Sequence, residues 1–264
     1  MSLSPPNILC FSGLDPSGGA GIQADIESIG SMGGHALPVI TALTVQNTQN
    51  VSRFEPVNVE LFTEQTRKLL DDVEIQAIKI GMVGSLGIIE AIHTILSQNP
   101  GIPVVYDPVI SASGGGNLSK NNITEAIQSL LLPLTTLLTP NSPEARLLSG
   151  ETDLVSCGKQ LLKTGCKTVL ITGTHENAET VDNLWFDEGK HIETFSWERL
   201  PYEYHGSGCT LASAIAALVA QGLDPFNAVN EAQDYSWNTL KNAYRISSKG
   251  QYIPNRFYWA HGDE

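Results

Sequence analysis

The chain repeatedly sets a short β-branched apolar run ahead of a stretch with helical spacing, and this order constrains the fold more than any other feature. Residues 7–13 form an apolar run ending in glycine, followed by a glycine-rich turn and a helical pattern near 20–32. Strand-like runs recur at 36–45, rich in β-branched residues, and at 77–81, 104–106, 136–139 and 167–172. Between them, residues 58–71 offer Leu61, Phe62, Leu69 and Leu70 to one helical face. Leu86, Ile89, Ile92 and Leu96 recur at the three- and four-residue spacing of a core-facing helix. Helices are expected after Asn141 and after Asp153, a hairpin over 182–187 and 191–195, and two more helices over 207–221 and 225–243. The helix over 207–221 is apolar nearly all round, which predicts a buried helix. Alternating strand and helix predict an α/β fold with a mostly parallel sheet covered by helices on both faces. We expect one domain over 1–264, with residues 1–6 a disordered leader, and assign the last twenty residues to no element.

Bulk properties narrow the function classes. With 41% hydrophobic residues the chain can fill a core without disulfides. Its four cysteines, Cys10, Cys157, Cys166 and Cys209, form no CxxC pair; this argues against a structural zinc site and predicts a reducing, cytoplasmic setting. The first residues lack the basic and apolar regions of a signal peptide, and no 18-residue apolar run offers a membrane span. A net charge of −13 argues against a nucleic-acid surface, which needs clustered Lys and Arg. A single anionic nucleotide is compatible with that charge, because backbone amides and a metal can hold it.

Four segments could carry chemistry. In Gly13-Leu-Asp-Pro-Ser-Gly-Gly-Ala-Gly21, between strand and helix, glycines permit close approach of a ligand to backbone. An ordinary strand-to-helix turn reads the same way. His205-Gly-Ser-Gly-Cys-Thr210 opens the buried helix, where Gly206, Ser207 and Gly208 would form a nest of N–H donors. Cys209 would sit in that positive field as a thiolate and general base; a buried structural cysteine is the other reading. Thr139-Pro-Asn-Ser-Pro-Glu144 follows an apolar run, where ligands bind in open α/β sheets, although Glu144 could simply complement a helix dipole. Asp107 precedes a proline at another strand end, as turn formers do, and a 114–116 triglycine loop could cover a nucleotide. Gln46 and Met82 each end a strand-like run.

These segments together resemble the ribokinase-like superfamily, and more closely the hydroxymethylpyrimidine/phosphomethylpyrimidine kinases. The match rests on residues 13–25, 40–48, 79–82, 107–109, 139–145 and 205–210, in the family's order. The resemblance implies a ribokinase-like three-layer αβα sandwich that transfers phosphate from ATP, with Mg2+, to a hydroxymethylpyrimidine and then to its monophosphate, within a homodimer. It implies a pyrimidine site of Gly13, Asp25, Gln46 and Met82. It further implies an anion hole of Gly206, Ser207, Gly208 and Cys209, with Asn141, Thr172 and Gly173 at ATP and Glu144 and Asp107 at the metal. Thr172-Gly-Thr-His175 stands where many members carry Lys-Gly-Gly-His, so Thr172 and backbone amides, or another cation, must serve there. Two readings remain beside it: a pyridoxal or pyridoxine kinase, and a non-catalytic protein that binds a nucleotide or precursor.

Overall fold

The computed structural model describes residues 4–110 and 120–260. Its elements run β1 (Asn7–Leu14), α1 (Gly21–Ser31), β2 (His35–Gln46), β3 (Val51–Pro56), α2 (Val59–Asp72), β4 (Ala77–Ile80), α3 (Leu86–Gln98), β5 (Val104–Tyr106) and α4 (Lys120–Ala126). They continue with β6 (Leu137–Leu138), α5 (Ser142–Ser149), α6 (Leu154–Lys163), β7 (Thr168–Ile171), β8 (Thr180–Asp187), β9 (Lys190–Glu198), α7 (Ser207–Ala220) and α8 (Pro225–Lys241). The strands make one sheet in the order β3-β2-β1-β4-β5-β6-β7-β8-β9. From β2 to β7 neighbours are parallel; β3, β8 and β9 pair antiparallel at the two edges.

Two apolar clusters fill the space on either side of the sheet, giving the three-layer αβα arrangement of the ribokinase-like fold. Successive β1 residues point to opposite faces. Leu9 and Phe11 therefore join one cluster with α2, α3, α5 and α6, while Ile8 and Cys10 join the other with α1, α7 and α8. In α2 Phe62 and Thr66 are buried and Leu69 and Leu70 pack against the same cluster, whereas Leu61, expected on that face, is 52% exposed. The edge strand β3 was not expected, because Val51, Phe54 and Pro56 give too weak an alternation to signal a strand. The leader expected over 1–6 falls partly on residues outside the described ones, while Pro6 accepts a hydrogen bond from the His35 amide at 2.8 Å. The 114–116 triglycine loop lies outside the described residues.

Helix α7 packs across β1, β4 and β5 and against α1. Apolar side chains make up most of this layer, and a buried ion pair interrupts it. On β4, alternation turns Lys79 toward α7, where it is fully buried. Its Nζ lies 2.8 Å from Oδ1 of the equally buried Asp25 on α1 and donates to Ser12 on β1 at 3.1 Å. Ser213 on α7 donates to Asp25 Oδ1 at 2.7 Å, and Ser12 donates to Oδ2. Burial alone would lower the lysine, but the Asp25 carboxylate outweighs it and holds Lys79 above its ordinary value. One ionic cluster thus ties sheet, α1 and α7 at a single point.

Removing one member of a buried, hydrogen-bonded pair strands the other charge in a dry site. Lys79→Met is therefore expected to lower stability by about 3–5 kcal/mol, read as a shifted urea midpoint. Combining it with Asp25→Asn, which removes the stranded charge and keeps one acceptor oxygen for the serines, should recover part of that loss. A Lys79→Met protein as stable as the parent would show that the pair is not a structural tie.

Candidate active site

The strand order reverses direction beside β1: the chain steps from β1 outward to β2, then returns to the other side of β1 with β4. Ligands in open α/β sheets bind at the carboxyl ends of strands beside such a switch point. Most of the candidate residues gather at those ends. Gly13 lies within β1 near its end and Gln46 closes β2, while Met82 follows β4, Asp107 follows β5, Asn141 follows β6 and Thr172 follows β7.

Two helix N-termini point into the same edge. Helix α1 begins at Gly21 after the glycine loop, and α7 begins at Ser207. At the start of a helix the first N–H groups have no partner within the helix, and the macrodipole adds a positive field. Gly206, the N-cap of α7, has φ +86°, and a Cβ there would lie 2.1 Å from the Gly19 carbonyl oxygen. Only glycine lets the two loops approach this closely. Gly208 faces the Asp107 carboxylate, with 3.7 Å between a Cβ built on it and Oδ2.

Gly13 and Met82 lie together, with the Met82 sulfur 3.2 Å from where a Gly13 Cβ would stand. Met82 packs with Ala42, Phe54 and Val109 and presents a soft apolar wall. Gln46 is partly exposed, its amide 3.2 Å from Nε2 of His205, which in turn lies 2.7 Å from Asp15 Oδ2. Burial would raise Asp15, but hydrogen bonds from His205 and Ser17 hold its carboxyl down at about 2. Sequence reasoning singled out neither Asp15 nor His205 as a side chain, although both stand inside quoted motifs.

Asp25, expected at the pyrimidine, is corrected by the structure. It is fully buried and both oxygens are taken up by Lys79, Ser12 and Ser213, so it acts beneath the site rather than in it. At Gly173, expected at ATP, the backbone N–H is already engaged. Its N–H donates to Asn183 Oδ1 at 3.0 Å and a Cβ would lie 2.2 Å from the Asp182 carbonyl oxygen, so it offers no free amide to phosphate. Thr172 stays partly exposed and bridges to Asn141 through the backbone. Asn141 caps α5: its side chain accepts from the Glu144 backbone N–H at 2.9 Å, and the Glu144 carboxylate accepts from the Asn141 backbone N–H at 3.0 Å. That capping box fixes Glu144 at the edge, buried near Asp107. Burial raises both carboxyls above their usual range, and the repulsion of Asp107 pushes Glu144 up further.

Cys209 departs from the thiolate expectation. Burial pushes its thiol up to about 12; the Lys79 cation opposes that, while Asp107 and Asp25 add to it. The backbone of Gly21 works in the other direction and lowers the thiol slightly. The helix field is real but loses to desolvation and two nearby carboxylates.

An edge of this kind, with two helix N-termini and a carboxylate pair facing one opening, defines a phosphotransferase of the ribokinase-like fold. Solved structures agree. The ADP complex of Bacillus subtilis pyridoxal kinase superposes with a TM-score of 0.87 at 27% identity, covering 95% of this chain and 97% of that one. Phosphomethylpyrimidine kinase from Clostridium difficile 630 superposes with a TM-score of 0.76 at 32% identity, covering 89% and 99%. Among curated proteins, the hydroxymethylpyrimidine/phosphomethylpyrimidine kinase of Staphylococcus aureus is 36% identical over 261 residues, 96% of this chain and 90% of that protein. The phosphomethylpyrimidine kinase family model matches residues 15–254, and the chain belongs to that family.

A thiol raised this far stays protonated through neutral pH. In the ligand-free, metal-free protein, alkylation of Cys209 by iodoacetamide should keep accelerating with pH from 7 to beyond 10, followed by peptide mass spectrometry. A rate that levels off by pH 8 would restore the thiolate.

Proposed function

We propose that the protein phosphorylates 4-amino-5-hydroxymethyl-2-methylpyrimidine with ATP, and that the same site adds a second phosphate to the monophosphate product. The observation that carries this reading is the meeting of Gly13, Gln46 and Met82 with the N-terminus of α7 at one sheet edge. A flat ring would lie against Met82, and the Gln46 amide, which both donates and accepts, suits an aminopyrimidine edge. The hydroxymethyl group would then face the α7 amides. Phosphoryl transfer asks chiefly for in-line placement and stabilisation of charge on the moving group, and the amides of Gly206, Ser207, Gly208 and Cys209 would supply the latter. Cys209, protonated, would line the nest rather than take the hydroxyl proton.

Asn141 and Thr172 would hold the nucleotide near its phosphates, with Nδ2 of the Asn141 side chain outside the capping box. Mg2+ fits the carboxylates present: Asp107 and Glu144 are buried, mutually repelling and raised, so a cation near them would relieve their repulsion. Among the described residues no group of three or more His, Cys, Asp or Glu is placed to hold a metal. Two carboxylates suit magnesium held largely by water and phosphate oxygens. Thr172 stands where the resemblance implies a lysine, and Lys79 would supply a buried cation near Cys209 and Asp107 instead.

A homodimer belongs to this proposal, supported by exposed Leu43, Val45 and Val51 on β2 and β3. So does a cytoplasmic setting, supported by four cysteines carried as thiols. No helix among the described residues is long and apolar enough to cross a membrane. The likeness to a pyridoxal kinase structure favours a second reading, since pyridoxal is also a flat ring bearing a hydroxymethyl group.

A coupled ADP-release assay with the pyrimidine, its monophosphate and pyridoxal side by side tests the proposal. Highest kcat/KM on the pyrimidine is expected; turnover of pyridoxal alone would overturn it in favour of the second reading. In the same assay, Gln46→Leu should raise KM for the pyrimidine by the equivalent of about 1–3 kcal/mol and leave that for ATP unchanged. An unchanged pyrimidine KM would remove Gln46 from the site. Glu144→Gln should shift the magnesium titration to higher concentrations, and coincident titrations would leave Glu144 as a helix cap only.

A further inference from the structure

Arg256, in a C-terminal segment without helical or strand periodicity, is 1% exposed and reaches into the space between the two site loops. Its guanidinium makes three separate contacts. Nη2 donates to the Gly19 carbonyl of the glycine loop at 2.6 Å. Nε donates to Thr210 Oγ1 in the first turn of α7 at 3.0 Å, and that hydroxyl donates onward to the Gly206 carbonyl at 2.8 Å. Nη1 pairs with Glu27 of α1 at 3.0 Å.

The backbone behind the guanidinium is itself held. Tyr235 of α8 donates its hydroxyl to the Arg256 carbonyl at 2.9 Å, and the neighbouring Asn255 amide donates to Thr239 at 3.0 Å. A planar fork fixed at its base can hold three partners at set angles, which a flexible ammonium cannot. The family match ends at residue 254, short of this side chain.

We propose that Arg256 is a positioning residue for phosphoryl transfer: it sets the spacing between the glycine loop, on the substrate side, and the N-terminus of α7, on the phosphate side. It touches neither reactant. The Gly206–Gly19 approach and the Arg256 contacts meet at the same point, so loss of the fork lets the two loops separate. This rests on the site proposed above, and the test separates the two.

Arg256→Lys keeps the charge and removes the fork. Hydrogen exchange in the full-length protein should show faster amides at 15–20 and 206–210 together, with β1 and β4 unaltered. Unaltered exchange in both loops, or equal acceleration in the strands, overturns the proposal. In the kinetic arm, kcat for the pyrimidine should fall by about tenfold or more, as small misplacements of reacting groups do. KM for the pyrimidine should rise, and KM for ATP should stay within about twofold. Parental kcat and pyrimidine KM, or an equal rise in both KM values, overturns it as well. Thr210→Val should reproduce the kinetic loss, Thr210→Ser should restore it, and Thr210→Val should add little to Arg256→Lys. Full additivity would mean that the arginine does not act through Thr210. If the parent enzyme turns over no pyrimidine, the proposed function fails while the exchange arm still reads the clamp.

Discussion

The buried pair of Lys79 and Asp25 is the contact on which the rest of the site depends. It is the point where a strand beside the switch, the helix after the glycine loop and the helix that carries the anion nest are joined by charge rather than by apolar packing alone. Apolar packing tolerates sliding, whereas a hydrogen-bonded ion pair in a dry layer tolerates little. Ser12 and Ser213 complete the pair from β1 and α7, so no partner is left to relax independently.

That tie has an electrostatic consequence at the surface of the site. Lys79 lies under the start of α7, where its cation partly offsets Asp107 and opposes the rise of Cys209. Arg256 adds a second buried cation at the other side of the same helix turn, paired outward to Glu27. The N-terminus of α7 is thereby framed by two guanidinium or ammonium groups that the loops themselves do not contain. These two buried cations place positive charge beside α7 in a chain whose net charge is −13.

Much of this was legible in the sequence. The strand and helix order predicted the layers; the motifs at 13–21, 107 and 141–144 fell at strand ends, where an α/β chain turns, and 205–210 at the start of α7. Three things were not legible. The role of Asp25 depends on which face of α1 meets α7, and Lys79 looked like one residue of a strand motif rather than a buried charge. The Cys209 acidity depends on a balance between a helix dipole and two carboxylates brought close only by folding. Arg256 sits among aromatic and polar residues with no period, so nothing local marked it; its contacts span more than two hundred residues.

The central claim is that a hydroxymethyl heterocycle and the terminal phosphate of ATP meet at the N-terminus of α7, above this paired frame. A crystal structure with the pyrimidine, Mg2+ and a non-hydrolysable ATP analogue measures it directly. The account predicts the hydroxymethyl oxygen about 3–3.5 Å from the terminal phosphorus and in line with the scissile bond. It also predicts the phosphate oxygens within hydrogen-bond reach of the Gly208 and Cys209 amides. A pyrimidine bound away from Gly13, Gln46 and Met82, or a terminal phosphate out of reach of α7, would contradict it.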